Sequence, residues 1–220
     1  MDIAAMNNAM NNKIIVAGIG PGNPDYMVPM ARQVIAEAKV LVGGRRALGQ
    51  FAQPAGGGQQ IMAVTSDIPA VLDFIGRQLA AQDVVVMVSG DPGYYSLLDA
   101  IRRTFPAKNI SVIPGISAIQ LAFARLALPW HDARLVSFHG RRPEAEAVRY
   151  TAGAVLGVLT DAQCNSQTIP AILMEHGWPE TATVHICARL SYEDESIETT
   201  TLSQAQHIPA VGHGILVVEG

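Results

Sequence analysis

Short apolar runs alternate with amphipathic segments along most of this chain. Ile14 to Ala17 predicts a strand, and Ala31, Val34, Ile35 and Ala38 fall at helical spacing, which predicts a helix over 28–38. Lys39 to Val42 is a second strand; a loop with Arg45-Arg46 and then Gly56-Gly57-Gly58 leads to a third, Gln60 to Val64. Val71, Leu72, Ile75 and Leu79 mark a helix over 68–81, followed by the strand at Val84, a helix over 95–105, the strand at Ile110 and a helix over 117–126. Leu128-Pro129-Trp130-His131-Asp132 breaks the pattern. Beyond it Leu135 to Phe138, Ala154 to Leu159, Thr183 to Arg189 and Gly214 to Glu219 read as strands, with a helix over 169–176 closed by Gly177. The expectation is an α/β chain: a tail over 1–12, one α/β domain over 13–128 with a mainly parallel sheet, and a second over 132–220 with a mixed sheet.

Three strands end in loops rich in glycine and proline. The first runs into Gly18-Ile19-Gly20-Pro21-Gly22, the fourth (VVVMV) into Ser89-Gly90-Asp91-Pro92-Gly93, and the fifth into Pro114-Gly115-Ile116-Ser117-Ala118. In open α/β sheets ligands gather beyond the carboxyl ends of the strands, so these loops predict a pocket walled by backbone amides, with Asp91 as its charged group. Such a pocket suits a small cationic or zwitterionic cofactor. The dinucleotide fingerprint is absent: the third glycine position holds Asn23, and the second strand ends in Gly43-Gly44-Arg45-Arg46 where an acid would grip ribose. No phosphate-binding Gly-x-x-x-x-Gly-Lys-Ser/Thr follows any strand.

Composition narrows the classes further. Of 220 residues 49% are hydrophobic and 15% charged, with a net charge of -4, which supplies a large core and no basic stripe for nucleic acid. No apolar run approaches the roughly 20 residues that cross a bilayer, and the first residues lack a basic start, so the expected place is the cytoplasm and no membrane is expected as a partner. Cys164 and Cys187 are too few for a disulfide framework and read as reduced thiols. His176, His185, His207 and His213 show no ligand spacing, so no protein metal site is expected.

Taken together, GIGPGNPDY (18–26), VSGDPGYY (88–95) and PGISA (114–118) resemble the tetrapyrrole methylases, over Lys13 to about Glu219. Within that family, the segment 114–141, and above all LPWHDA and SFHGR, resembles the branch that methylates C5 of a corrin precursor, precorrin-7 with or without cobalt. The resemblance implies a class III methyltransferase fold: two α/β domains with the cofactor cleft between them, S-adenosyl-L-methionine as cofactor, a tetrapyrrole substrate and a homodimer. Two departures stand out. Met27-Val28 replaces the family's usual Leu-Thr, and the chain ends at Gly220 without the decarboxylating domain fused to some relatives, so a separate C15-methylating decarboxylase is the expected partner. A tetrapyrrole methylase acting at another ring position, and a sensor that binds the cofactor without turnover, are the alternatives.

By resemblance, the cofactor residues are Gly18, Gly20, Pro21, Gly22, Gly90, Asp91, Pro92, Tyr94, Tyr95, Ser117 and Ala118 in the first domain, and Leu159 and Thr160 in the second. Small residues would let the backbone approach the cofactor. Asp91 reads equally as a turn-capping carboxylate, Ser117 as a plain helix cap and Tyr95 as a core aromatic. His139, at a strand end, is the candidate proton carrier, or else bonds to local backbone. Arg45, Arg46, Arg141 and Arg142 follow strand ends and would bind the substrate's carboxylates bidentately, or else stand as solvated loop charges.

Overall fold

The computed structural model describes residues 12–53 and 58–220. The expected tail therefore falls outside the described residues up to residue 11, as do Gly56 and Gly57. Asn12, its last residue, belongs to the folded chain: its side-chain amide donates to the Leu79 carbonyl at 2.9 Å, and its carbonyl accepts from Asn109 Nδ2 at 2.9 Å.

Two compact units make up the chain, the first ending at Ser117 and the second running from Ala118 to Gly220. The first holds strands β1 (Ile14–Gly18), β2 (Val40–Gly43), β3 (Gln60–Ala63), β4 (Val84–Val88) and β5 (Ile110–Ile113). They pair in the order β3-β2-β4-β1-β5, every pair parallel, as the alternation of strand and helix predicts. Helices α1 (Pro29–Glu37), α2 (Arg45–Phe51), α3 (Ile68–Leu79) and α4 (Leu98–Thr104) connect them. Because side chains alternate across a strand, Val84, Val86 and Val88 pack with Val71, Ile75 and Ile101, while Val85 and Met87 pack with Ala31, Ile35 and Leu48. Both faces of β4 are thus dry, and each buried valine contributes roughly 1.5–3 kcal/mol. Helix α3 starts where the sequence can cap it, the Asp67 side chain accepting the Ala70 N–H at 3.1 Å.

The structure moves some boundaries. Arg45 and Arg46 lie in the first turn of α2 rather than in a loop, because Ala47 and Leu48 find a buried face there. The helix expected from residue 95 begins at Leu98, since Tyr95 has φ +50° and cannot continue a right-handed turn.

The second unit carries α5 (Ala118–Arg125), β6 (Arg134–Ser137), α6 (Ala145–Val148), β7 (Val155–Leu159), α7 (Thr168–Glu175), β8 (Thr183–Ala188), β9 (Ser196–Thr201), α8 (Leu202–Ala205) and β10 (Gly214–Glu219). Its sheet runs β6-β7-β10-β8-β9, with β6 and β7 parallel and the other pairs antiparallel, so it is mixed as expected. One face (Val136, Leu156, Val158, Val184, Ile186, Leu216, Val218) buries Ile169, Leu173, Trp178 and Leu202. Helix α5 was expected to close the first domain at about residue 128, yet it packs with the second unit. Gly157 makes room for it: a Cβ there would stand 2.9 Å from Phe123 Cε2 and 2.9 Å from Leu135 Cδ2. The sequence reading missed α6, β9 and α8, which are short or, in β9, largely polar. His185 fastens β9 to β10, its Nδ1 2.8 Å from Thr199 Oγ1 and its Nε2 2.9 Å from Glu219 Oε1. No helix among the described residues is long and apolar enough to cross a membrane.

Candidate active site

Strand order puts the three loops of the first unit side by side. β1 lies between β4 and β5, so the loops after residues 18, 88 and 113 leave the same edge of the sheet from neighbouring strands. They touch. Gly90 N donates to Gly20 O at 2.8 Å, and Ile19 N to Val88 O at 2.9 Å. A Cβ on Gly18 would sit 2.6 Å from Gly90 O and 2.7 Å from Gly115 N, and one on Gly115 would strike Gly90 O. These glycines are therefore required by contact between loops, a tighter reason than the approach to a cofactor expected from sequence. Gly20 and Gly90 also take left-handed backbone, with φ of +76° and +68°.

Asp91 is the fastener of this assembly. Its Oδ1 accepts the Gly93 N–H at 2.7 Å, and its Oδ2 accepts the Gly115 N–H at 3.1 Å, across to the loop after β5. The turn-capping role and the pocket role coexist, because each carboxylate oxygen keeps a second lone pair. Pro92 is buried, and Ser117 is buried at the end of the unit. Tyr94 is half-buried, and burial, followed by the neighbouring Tyr95, pushes its hydroxyl well above the usual tyrosine range. The rings of Tyr94 and Tyr95 meet edge to face with centroids 4.7 Å apart. Tyr95 is 43% exposed and so is no core aromatic.

In the second unit the strand-end residues are organised by two hubs. Thr160 is buried, and its hydroxyl lies 2.6 Å from Gly212 O, 3.1 Å from Gly214 O and 2.8 Å from Gly214 N, from which it accepts. The side chain is thereby committed to holding the entry of β10. Asp161 accepts from Gly140 N at 2.9 Å through Oδ2, and from Gln163 N at 2.8 Å and Cys164 N at 2.7 Å through Oδ1. These backbone donors, Gly140 first, hold its carboxyl down at about 2.

His139 joins the two hubs. Its backbone N–H donates to Ser137 Oγ at 3.2 Å, and its Nδ1 lies 3.3 Å from Thr160 O. A carbonyl only accepts, so Nδ1 carries a proton towards Thr160 O. The His213 ring stands 5.8 Å away. The local-backbone role is thus observed, and it leaves one ring nitrogen for chemistry. Asp161 and His213 were not among the sequence candidates; the signals for them were a carboxylate directly after a strand and the Gly212-His213-Gly214 turn directly before one.

The four arginines are exposed, Arg45 and Arg46 on the first turn of α2 and Arg141 and Arg142 in the turn after β6. Two cations at a helix N-terminus oppose its macrodipole, a small cost that an arriving anion would reverse. Among the described residues no cluster of three or more His, Cys, Asp or Glu could hold a metal ion. Both cysteines are free thiols, and burial pushes Cys187 up to about 12, where it is chemically inert at neutral pH.

Comparison with known proteins identifies the family. The family model for Tetrapyrrole (Corrin/Porphyrin) Methylases matches residues 13–206. The cobalt-precorrin-7 C(5)-methyltransferase of Salmonella typhimurium is 33% identical over 190 residues, 86% of this chain and 91% of that protein. The decarboxylating precorrin-6Y C(5,15)-methyltransferase of Sinorhizobium sp is 29% identical over 165 residues, 75% of this chain and 39% of that protein. Among solved structures, the uroporphyrin-III C-methyl transferase of Thermus thermophilus, complexed with S-adenosyl homocysteine, has the same fold, with a TM-score of 0.72 at 20% identity over 94% of this chain and 92% of that one. A match that runs through both units, and through all three of the loops that Asp91 and the glycines hold together, makes this chain a member of the tetrapyrrole (corrin/porphyrin) methylases.

Proposed function

We propose that this chain is the S-adenosyl-L-methionine-dependent methyltransferase that adds one methyl group at C5 of a corrin precursor, precorrin-7 or its cobalt form, in cobalamin biosynthesis. The observation that carries the reading is the likeness to the Salmonella C(5)-methyltransferase, which takes in 91% of that protein. The first unit's loops suit the cofactor, with an Asp91 carboxylate that keeps a lone pair on each oxygen for the ammonium or sulfonium. Gly18, Gly20, Pro21, Gly22, Gly90, Pro92, Tyr94, Tyr95 and Ser117 would line it from this unit, with Ala118, Leu159 and Thr160 from the second.

The bound cofactor supplies an electrophilic methyl group. This chain's residues orient the acceptor carbon and exclude water, effects worth on the order of 7–11 kcal/mol when alignment is ideal. Accepting that methyl would leave the substrate ring with an extra positive charge, to be shed as a proton. His139 Nε2 would receive it. Arg45, Arg46, Arg141 and Arg142 take the substrate's carboxylates. The enzyme works in the cytoplasm as a homodimer, with a separate C15-methylating decarboxylase as its partner.

Mass spectrometry tests this directly. Given the decarboxylated precursor and S-adenosylmethionine, the purified chain should add a single methyl group, and given the undecarboxylated one it should release no carbon dioxide. Two methyl additions, or loss of a carboxyl group, would overturn the C5-only assignment.

A further inference from the structure

Phe138, directly before His139, walls a cavity of about 180 Å³ in the second unit. The residue is 2% exposed, and its N–H, donating to Leu159 O at 2.9 Å, carries the pairing of β6 one residue further. A turn then brings the chain back. Gly140 takes φ +65° and donates its N–H to Asp161 Oδ2 at 2.9 Å, and the Arg141 N–H donates to Phe138 O at 3.5 Å. The next residue, Arg142, thereby lines the same cavity as Phe138, and being exposed it stands at the mouth. Val148 and Ile172 extend the apolar wall. His176 adds a second basic side chain, its ring tied to the last turn of α7 by Nδ1, 2.8 Å from Ile172 O.

Charge makes this recess selective. None of the residues lining it is acidic, and Arg142 forms no ion pair among the described residues, whereas Arg149 is paired with Glu146 at 3.1 Å. An apolar recess with an uncommitted guanidinium at its mouth suits a carboxylate on a short alkyl chain. The methylenes lie against Phe138, Val148 and Ile172, and the carboxylate meets the Arg142 fork. At about 180 Å³ the recess is smaller than the roughly 300 Å³ at which pockets for whole drug-sized ligands begin, so it takes one arm of a larger molecule.

We propose that this cavity receives one acetate or propionate arm of the tetrapyrrole and so fixes which way round the macrocycle binds. The proposal rests on the tetrapyrrole reading above and narrows the part of Arg142 in it. A macrocycle presents four similar quarters, and exposed arginines alone would accept its rim carboxylates in any rotation. A recess of fixed depth discriminates, because one methylene more or less in an apolar pocket changes binding by roughly tenfold to two-hundredfold.

Three variants of the full chain test it: Arg142→Gln removes the fork, Ala145→Leu narrows the recess, which Ala145 also lines, and Arg149→Gln removes a nearby charge outside it. The probe is uroporphyrin III, a stable tetrapyrrole with acetate and propionate arms, titrated by its absorbance shift. Arg142→Gln and Ala145→Leu should each bind it roughly tenfold more weakly than the parent, and Arg149→Gln within about twofold. Sodium butyrate, against sodium chloride at the same concentration, should weaken porphyrin binding to the parent and leave Ala145→Leu unaffected. Porphyrin affinity in Ala145→Leu equal to the parent's would return Arg142 to an open surface charge and overturn the pocket alone. Butyrate that binds the parent, seen as broadening of its methyl signal by NMR, without weakening porphyrin binding would make the cavity a site for a free acid and overturn the arm. A parent protein that binds S-adenosylhomocysteine by calorimetry and no porphyrin would overturn the tetrapyrrole reading and the arm with it.

Discussion

Asp91 reaches 24 residues along the chain to hold Gly115, its Oδ2 accepting the Gly115 N–H at 3.1 Å, while its Oδ1 binds Gly93 in its own loop. One carboxylate therefore fixes the distance between the loops that follow β4 and β5. Asp91→Asn keeps the size but turns one acceptor into an NH₂ facing a backbone N–H. We expect a loss of roughly 1–3 kcal/mol in thermal stability and at least tenfold in S-adenosylhomocysteine affinity, read by calorimetry. An Asn variant with full affinity would show that the clamp is dispensable.

Gly115→Ala should be damaging because the added Cβ meets backbone on two sides, Gly90 O and Gly18 Cα, and neither can swing away. A cost of about 1–3 kcal/mol is expected, with cofactor binding lost. Gly49→Ala supplies the contrast. Within α2, with nothing within 4 Å of the new Cβ, it should stabilise by about 0.5–1 kcal/mol and leave binding unchanged.

Thr160→Val preserves shape and removes the hydroxyl that serves Gly212 and Gly214. The buried groups left unpaired should cost about 1–3 kcal/mol in denaturant unfolding, and Thr160→Ser should recover most of it. If Val and Ser variants unfold alike, the hydroxyl is not the hub.

Acid should loosen the turn around His139. The folded-state carboxyl of Asp161 sits at about 2 against an ordinary 3.8, so its stabilisation is complete above roughly pH 4 and disappears as pH falls through 2. Carboxyl-carbon NMR should place the Asp161 midpoint near 2, and Asp161→Asn should remove that part of the acid transition. A midpoint near 4 would mean that the Gly140, Gln163 and Cys164 amides do not hold the carboxylate in solution.

The parallel sheet, the three loops and Asp91 were legible in the sequence because continuous valine runs and Gly-Pro punctuation are local signals. Their physical reasons were less so. That Gly18 and Gly115 serve contact between loops depends on strand order, and nothing in residues 14–18 states that β1 will lie between β4 and β5. Helix α5 was read correctly as a helix, yet its allegiance was set by Gly157, some thirty residues on, where a missing side chain admits Phe123. Thr160 was singled out by resemblance as a cofactor residue, whereas its hydrogen bonds reach 52 and 54 residues ahead. Tyr95 gave no sequence sign of its positive φ, because tyrosine is not a residue that signals one.

The position of β1 also dictates an order of events on the ribosome. Ile14 pairs with Val84 and with Ile110, so β1 must wait about 70 residues of further synthesis before either neighbour exists. Such long-separation pairing is slow to form, and until then an apolar strand with two open edges is available to other chains. The Asp91 to Gly115 bond cannot close before β5 arrives, so the ligand pocket is the last part of the first unit to be born, and S-adenosylmethionine would recognise only a finished sheet. A nascent chain stalled before Ile110 should thus depend on chaperones and gain nothing from the cofactor, while one stalled well past Ser117 should be protected by it.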